Sequence, residues 1–102
     1  MRLSDIIWNE RFATKIENKH GIMPEEVEQV LFSKPHDRKA ERGRVKGEHL
    51  YVAYGQTEAG RYLVTFFIRK GKGAAMPISA REMTEAERRY YHAHKKSHRP
   101  DS

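Results

Sequence analysis

Two arginines on neighbouring predicted strands are the residues best suited by type and position to act on an anion. Arg81 lies in PISAREMTEAERRYY (77–91), where a strand pattern changes to a helix pattern. Arg69 is the second-last residue of the predicted strand RYLVTFFIRK (61–70). Because side chains alternate between the two faces of a strand, regular alternation places both guanidinium groups on one half-open face of the sheet. Guanidinium groups bind phosphate through paired hydrogen bonds, so the arginines predict a site for a phosphate-containing ligand.

The same alternation assigns the two faces of the predicted sheet. One face is apolar enough to pack on the hairpin of the two N-terminal helices, and it carries Tyr62, Val64, Phe66 and Ile68, together with Met76, Ile78 and Ala80 of the last strand. The mixed face carries Arg61, Leu63, Thr65, Phe67 and Arg69, together with Ser79 and Arg81. Aromatic rings beside arginines suit RNA, because both stack on unpaired bases. A single β-bulge would reverse these assignments.

A structural role is an equally good interpretation of Arg81. Its guanidinium group could pair with Glu82 or Glu85 and only stabilise the corner between strand and helix. The spacing of the residues does not decide between this role and the phosphate site.

The histidines allow two kinds of chemistry, and neither pattern is specific. His20 precedes Gly21 at a predicted helix end, where it acts either as a cation favoured by the helix dipole or as a general acid or base. His92, His94 and His98 lie in a basic segment without a neighbouring cysteine or carboxylate, so we expect no metal site there.

Helix start and stop signals define three helices. Asn9 is a candidate N-cap for the first helix, which Gly21 ends, and Pro24 suits the first position of the second helix. Thr84 and Glu87 form a capping-box pattern that begins the third helix. The two N-terminal helices follow a short apolar run, 6–8, that is long enough for an edge strand.

Strand patterns follow the second helix. HLYVAYG (49–55), RYLVTFFIRK (61–70) and AAMPISAR (74–81) are separated by short turns, and residues 33–48 are either a loop or an edge strand through 44–46. Pro77 indicates an unpaired edge or a bulge. The predicted fold is α+β with the order β-α-α-β-β-β-α: an antiparallel meander with the two N-terminal helices on one face, in a single domain, 1–94, followed by a basic tail, 95–102.

Charge and composition favour an anionic partner. The 102 residues carry a net charge of +6 and the pI is about 9.7. Residues 1–32 hold four basic and six acidic side chains, whereas residues 33–102 hold sixteen basic and eight acidic ones. Nucleic acid is the usual partner of such a chain, although a basic charge also serves solubility alone. The sequence has no cysteine, no membrane-span pattern and no signal-peptide pattern, so a cytoplasmic location is expected.

Three segments resemble the BrnT-like toxins of bacterial type II toxin–antitoxin systems. They are WNE with KHGIMPEEVEQVL (8–31), YGQTEAGRYLVTFF (54–67) and ISAREMTEAERRYY (78–91). The resemblance implies a RelE-like fold, metal-independent cleavage of single-stranded RNA such as mRNA, and neutralisation by a BrnA-type ribbon-helix-helix antitoxin. It implies no cofactor, no membrane and contact with DNA only through the antitoxin.

The resemblance also indicates site residues. Those expected to act in catalysis are His20, Arg69, Arg81 and Tyr91, beside Tyr90. Those expected to bind RNA are Arg38, Arg42, Arg44, Lys46, Arg61 and Lys70. In the toxins that this chain resembles, cations activate the ribose 2′-OH and stabilise the charge of the transition state.

Two other functions remain open on the sequence alone. A non-catalytic module could use the basic face only to bind an antitoxin or RNA and act in autorepression. A metal-dependent enzyme could use the C-terminal histidines, and its activity would be lost with a chelator.

Overall fold

A computed structural model describes residues 3–33 and 49–94 in full and the backbone of residues 36–41. The elements are β1 (Asp5–Ile6), α1 (Glu10–His20), α2 (Pro24–Phe32), β2 (His36–Glu41), β3 (Leu50–Gln56), β4 (Tyr62–Lys70), β5 (Ala74–Glu82) and α3 (Glu85–His94). Within these described ranges, no helix is both long and apolar enough to cross a membrane.

The strands form one mixed sheet in the order β1-β5-β4-β3-β2. Strands β2 to β5 pair as antiparallel neighbours, whereas β1 pairs in parallel with β5 through Asp5 opposite Ala74 and Ile6 opposite Ala75. The predicted α+β class and element order are confirmed, with two refinements. The edge strand β1 makes the sheet mixed, and part of the segment left open by the sequence forms β2, while residues 44–46 lie outside the described residues.

The helix ends follow the signals in the sequence. The Asn9 side chain accepts a hydrogen bond from the backbone N–H of Arg11 at 3.0 Å. Gly21 ends α1 with φ 64°, a left-handed conformation that costs glycine little. In the capping box of α3, the Glu87 N–H donates to the Thr84 hydroxyl at 3.1 Å and the Thr84 N–H donates to the Glu87 carboxylate at 2.9 Å.

Helices cover both faces of the sheet and bury two separate clusters. The cluster under α1 and α2 contains Ile16, Ile22, Val27, Val30, Leu31, Ala53, Leu63, Phe67, Ala75 and Ala80. The cluster under α3 contains Val52, Tyr54, Val64 and Met83, with Tyr62, Phe66, Tyr90 and Tyr91 packed against it. The predicted grouping of the β4 side chains into two faces is confirmed, but the face predicted to meet the N-terminal helices was wrong. Leu63 and Phe67 meet those helices, and Tyr62, Val64 and Phe66 meet α3.

A register shift in β5 explains the remaining difference. Phe66 pairs with Ser79 but its neighbour Phe67 pairs with Pro77, so Ile78 is an extra residue between them. Such a bulge reverses the alternation of side chains, which lets Pro77 and Ala80 both be buried. The expectation that Pro77 marks an edge or a bulge is confirmed. The assignment of Met76 to the same face as Ala80 was wrong, because Met76 pairs across with Ile68 and Ala80 with Thr65.

Candidate functional site

Arg81 is held at the end of β5 by a two-pronged ion pair with Glu87 of α3. Its Nη1 donates to Glu87 Oε1 at 2.7 Å and its Nη2 donates to Glu87 Oε2 at 2.8 Å. Nη1 also donates to the backbone oxygen of Glu82 at 3.2 Å. The pair is about one-third exposed on the arginine side and one-quarter exposed on the glutamate side, with side-chain exposures of 35% and 23%. Arg81 thus fixes the strand-to-helix corner, as the structural interpretation requires, but its ion pair is with Glu87 rather than with the carboxylate of Glu82 or Glu85.

The pair is electrostatically strong. The pKa of Glu87 is lowered from 4.5 to about 2, mainly by the hydrogen bonds from Arg81 and also by the amide and hydroxyl of Thr84, against the opposing effect of burial. The same carboxylate raises the pKa of Arg81, with a smaller opposing effect of desolvation. Glu87 therefore remains a carboxylate and Arg81 a cation across the physiological range. One carboxylate serves both the capping box of α3 and the orientation of Arg81.

Aromatic side chains lie beside Arg81 and Arg88 on the α3 side of the sheet. The Arg81 guanidinium carbon lies 5.7 Å from the centre of the Phe66 ring, and that of Arg88 lies 4.2 Å from the centre of the Tyr62 ring. Tyr91 contacts Tyr62 edge-on at 6.1 Å between ring centres. Burial raises the pKa of the Tyr91 phenol, so it stays protonated. We call these five side chains the cation–aromatic face; they combine phosphate-binding charges with rings that can stack on bases.

Arg69 does not join Arg81. Along β4 it lies on the side of Phe67, under α1 and α2, whereas Arg81 pairs across with Val64, which lies under α3. The predicted convergence of the two arginines on one face was therefore wrong, because the bulge in β5 shifts Arg81 relative to Arg69. Arg69 Nε is buried and has no hydrogen-bond partner among the described residues.

His20 also lies on the α1 side. It ends α1 and lines a small cleft of about 130 Å³ between that helix and the bulge of β5. The cleft is lined by Lys15, Ile16, Lys19, His20, Ile78 and Ser79. The structure thus divides the predicted catalytic residues into two pairs: Arg81 and Tyr91 on the cation–aromatic face, and His20 and Arg69 on the α1–α2 side of the sheet.

Arg61, predicted to bind RNA, is engaged inside the fold. Its Nε donates to Glu82 at 2.8 Å, and its Nη1 donates to the two carboxylate oxygens of Glu26 at 2.9 and 3.1 Å and to the Gly21 carbonyl at 3.2 Å. The first bond is the main reason that the pKa of Arg61 is raised. Arg61 thus joins the end of α1, the first turn of α2 and the end of β5. A contact with RNA would compete with these bonds and remains a prediction.

For the remaining residues predicted to bind RNA, the structure gives fewer contacts or only the position of the backbone. Lys70 ends β4, opposite Ala74 of β5. Arg38 lies in β2, opposite Val52, where the structure describes the backbone alone. Arg42, Arg44 and Lys46 lie outside the described residues.

Sequence analysis did not identify four residues that lie at the Arg81 pair, on the cation–aromatic face or in the cleft beside His20. Glu87 was recognised as a cap but not as the partner of Arg81, because a capping box accounts for the glutamate without a second role. Arg88 was not considered, although the basic pair 88–89 was visible. Lys15 and Lys19 were missed despite their spacing of four residues, which places them on one side of a helix. In the described ranges, no group of three histidine or acidic side chains could hold a metal ion; metal independence stays a prediction.

Comparison with known proteins identifies the family. Residues 8–87 match the family model described as the ribonuclease toxin BrnT of type II toxin–antitoxin systems. Curated proteins gave no match. The crystal structure of the Brucella abortus ribonuclease toxin BrnT is similar in fold, with a TM-score of 0.58, 20% sequence identity and coverage of 79% of this chain and 97% of the Brucella chain. The family match spans most of the chain and includes α1, α2, the Arg81–Glu87 pair and the start of α3. This chain belongs to the BrnT family of ribonuclease toxins of type II toxin–antitoxin systems.

Proposed function

We propose that this chain is a toxin that cleaves single-stranded RNA, including mRNA, without a metal ion, and that a BrnA-type ribbon-helix-helix antitoxin neutralises it in the cytoplasm. The family match over residues 8–87 carries the proposal. A type II system implies an antitoxin partner, and DNA would be reached only through that partner. The net charge of +6 further supports an anionic substrate.

The proposed reaction is an internal transesterification. The ribose 2′-oxygen forms a bond to the adjacent phosphorus and loses its proton, while the bond from phosphorus to the 5′-oxygen breaks and that oxygen gains a proton. The products are a 2′,3′-cyclic phosphate, which water can open to a 3′-phosphate, and a 5′-hydroxyl end. Negative charge builds up on the phosphate oxygens, so a fixed cation beside them accelerates the reaction.

Arg81 is the proposed source of that stabilisation. The bonds to Glu87 use Nη1 and Nη2 and leave Nε without a hydrogen bond to a described residue. A pre-oriented donor aimed at the developing charge contributes roughly 3–4 kcal/mol. Tyr91, on the same face and held protonated by its raised pKa, is the proposed donor to the leaving 5′-oxygen. His20 and Arg69 lie on the other side of the sheet, so their catalytic roles would need RNA that passes the sheet edge.

Growth of a bacterial host tests the proposal. We expect induction of the unchanged chain to arrest growth and Arg81→Ala to restore it at matched expression. Arg89→Ala is the control, because Arg89 is an exposed arginine of α3, the helix that follows β5, and makes a 3.7 Å pair with the exposed Glu85; it should still arrest growth. Equal arrest by all three chains would remove Arg81 from the mechanism.

A non-catalytic function is the second candidate, and one observation favours it. In the structure Glu87 neutralises Arg81, which is the arrangement expected of a purely structural corner. In that case the chain would bind antitoxin or RNA and act in autorepression. The two candidates differ in whether RNA mixed with the purified chain is cut or only retarded in a gel.

A further inference from the structure

The cleft between α1 and the bulge of β5 carries positive charge that no described acidic side chain neutralises. Lys15 and Lys19 are exposed on neighbouring turns of α1, and His20 lies beside them at the helix end. Neither lysine makes an ion pair with a described residue. Like charges four residues apart on a helix repel each other by a few tenths of a kcal/mol. An anion bound between them would remove that repulsion.

The lining of the cleft suits a small anion. It contains two lysines, a histidine and a serine and no acidic residue. Its volume of about 130 Å³ is below the roughly 300–1,000 Å³ of pockets that enclose whole small-molecule ligands. A single phosphate group is the ligand that combines this size with this charge.

The sheet edge connects the cleft to Arg81. In the described residues β1 pairs with only Ala74 and Ala75 of β5, so the remainder of that strand forms an edge without a partner strand. Ser79 lines the cleft, and Arg81 follows two residues later, about 7 Å along the strand. A chain of nucleotides that crosses this edge can therefore contact the cleft on the α1 side and Arg81 on the α3 side.

We propose that Lys15, Lys19 and His20 bind a phosphodiester of the RNA next to the one that is cleaved. The inference rests on the proposed ribonuclease function and deepens it. It makes His20 a residue that positions the substrate across the sheet edge from Arg81. Lysines near a helix end can also serve stability alone, because the helix dipole favours cations there. Binding and stability must therefore be measured separately.

The experiment measures binding of a fluorescent single-stranded RNA whose 2′-hydroxyls are methylated, so that it cannot be cleaved by 2′-OH attack. Fluorescence anisotropy compares the unchanged chain with the double variant Lys15→Gln/Lys19→Gln over a range of salt concentrations. The control is Arg11→Gln, which removes a charge from the same helix one turn before Lys15 but outside the cleft. Thermal unfolding of each variant monitors the fold.

We expect the double variant to bind the RNA roughly tenfold more weakly. The negative slope of log K against log salt should also become shallower by about 0.7, the value for one phosphate of a single strand. Arg11→Gln should leave both quantities unchanged. If the double variant binds like the control, the cleft is not an RNA site. That result would leave the proposed function intact, because cleavage of unmodified RNA is measured separately. Conversely, binding that depends on the cleft without any cleavage would retain the subsite and refute the ribonuclease activity.

Discussion

Replacing Glu87 by Gln removes the charge of the Arg81–Glu87 pair while it keeps a capping-box side chain, since Gln also serves at that position. The difference between the ordinary pKa of 4.5 and the value of about 2 in the fold corresponds to about 3 kcal/mol at 1.36 kcal/mol per pH unit. Water screens this partly exposed pair, so we expect about half of that, roughly 1–2 kcal/mol, to be lost from the free energy of unfolding at pH 7.

The pH dependence gives the sign of the effect. The folded pKa of Glu87 lies below its unfolded value, so the pair contributes its full stability above about pH 4.5 and loses it as the pH falls toward 2. Urea unfolding of the unchanged chain and of Glu87→Gln should therefore differ most near pH 7. By about pH 3 the difference should have shrunk to half or less.

Glu85→Gln is the matched control for this measurement. Glu85 lies in the same first turn of α3 and shares the helix dipole, but its side chain is 88% exposed and 3.7 Å from Arg89. We expect that substitution to cost less than about 0.5 kcal/mol. Equal costs for the two variants at pH 7, or a difference that does not depend on pH, would refute the assignment of the Arg81–Glu87 pair as the main stabiliser of this corner.

Three further substitutions test the contacts around α1 and α2. Arg61→Ala should lower the free energy of unfolding by about 1–2 kcal/mol, because it removes the hydrogen bonds of one guanidinium group to both Glu26 and Glu82. A loss of stability no larger than that of Arg89→Ala would contradict this. Gly21→Ala should cost about 1–2 kcal/mol through its φ of 64° alone, since no atom lies within 4 Å of the added Cβ; Gly21→Asn, which tolerates this conformation better, should cost less. Asn9→Ala should cost about 1 kcal/mol and Asn9→Asp much less, as thermal unfolding can show.

The sequence predicted the helices well because their ends depend on local chemistry. Asn9, Gly21 and the Thr84–Glu87 capping box each act within a few residues of their own position. The order of the elements and the α+β class follow from these ends and from the strand patterns between them. No long-range information is needed for either.

The faces of the sheet could not be predicted in the same way. Helices cover both sides, so Val64 and Phe67 are both fully buried and apolar alternation along β4 favours neither side. Pro77 indicated an edge or a bulge, but the place of the extra residue, Ile78, depends on the pairing of β5 with β4, which no local pattern shows. These two facts explain why Arg69 and Arg81 were placed together.

The sequence predicted some residues of the candidate site, but it did not predict which side chains they contact. The position of Arg81 at the junction of strand and helix was identified correctly. Its pairing with Glu87, six residues later, depends on how the chain turns between β5 and α3, which spacing alone does not define. Arg61 looked like one more basic residue of a basic strand. Its two carboxylate partners come from α2 and from the end of β5, more than twenty residues away in each direction.

Cleavage of a single-stranded RNA by the purified chain, in the presence of a chelator, tests the central claim most directly. The account predicts cut RNA with 2′,3′-cyclic phosphate or 3′-phosphate ends, a rate lower by about 10²–10³ for Arg81→Ala, and an unchanged rate for Arg89→Ala. RNA that is bound but stays intact, or an Arg81→Ala chain that cuts as fast as Arg89→Ala, would contradict it.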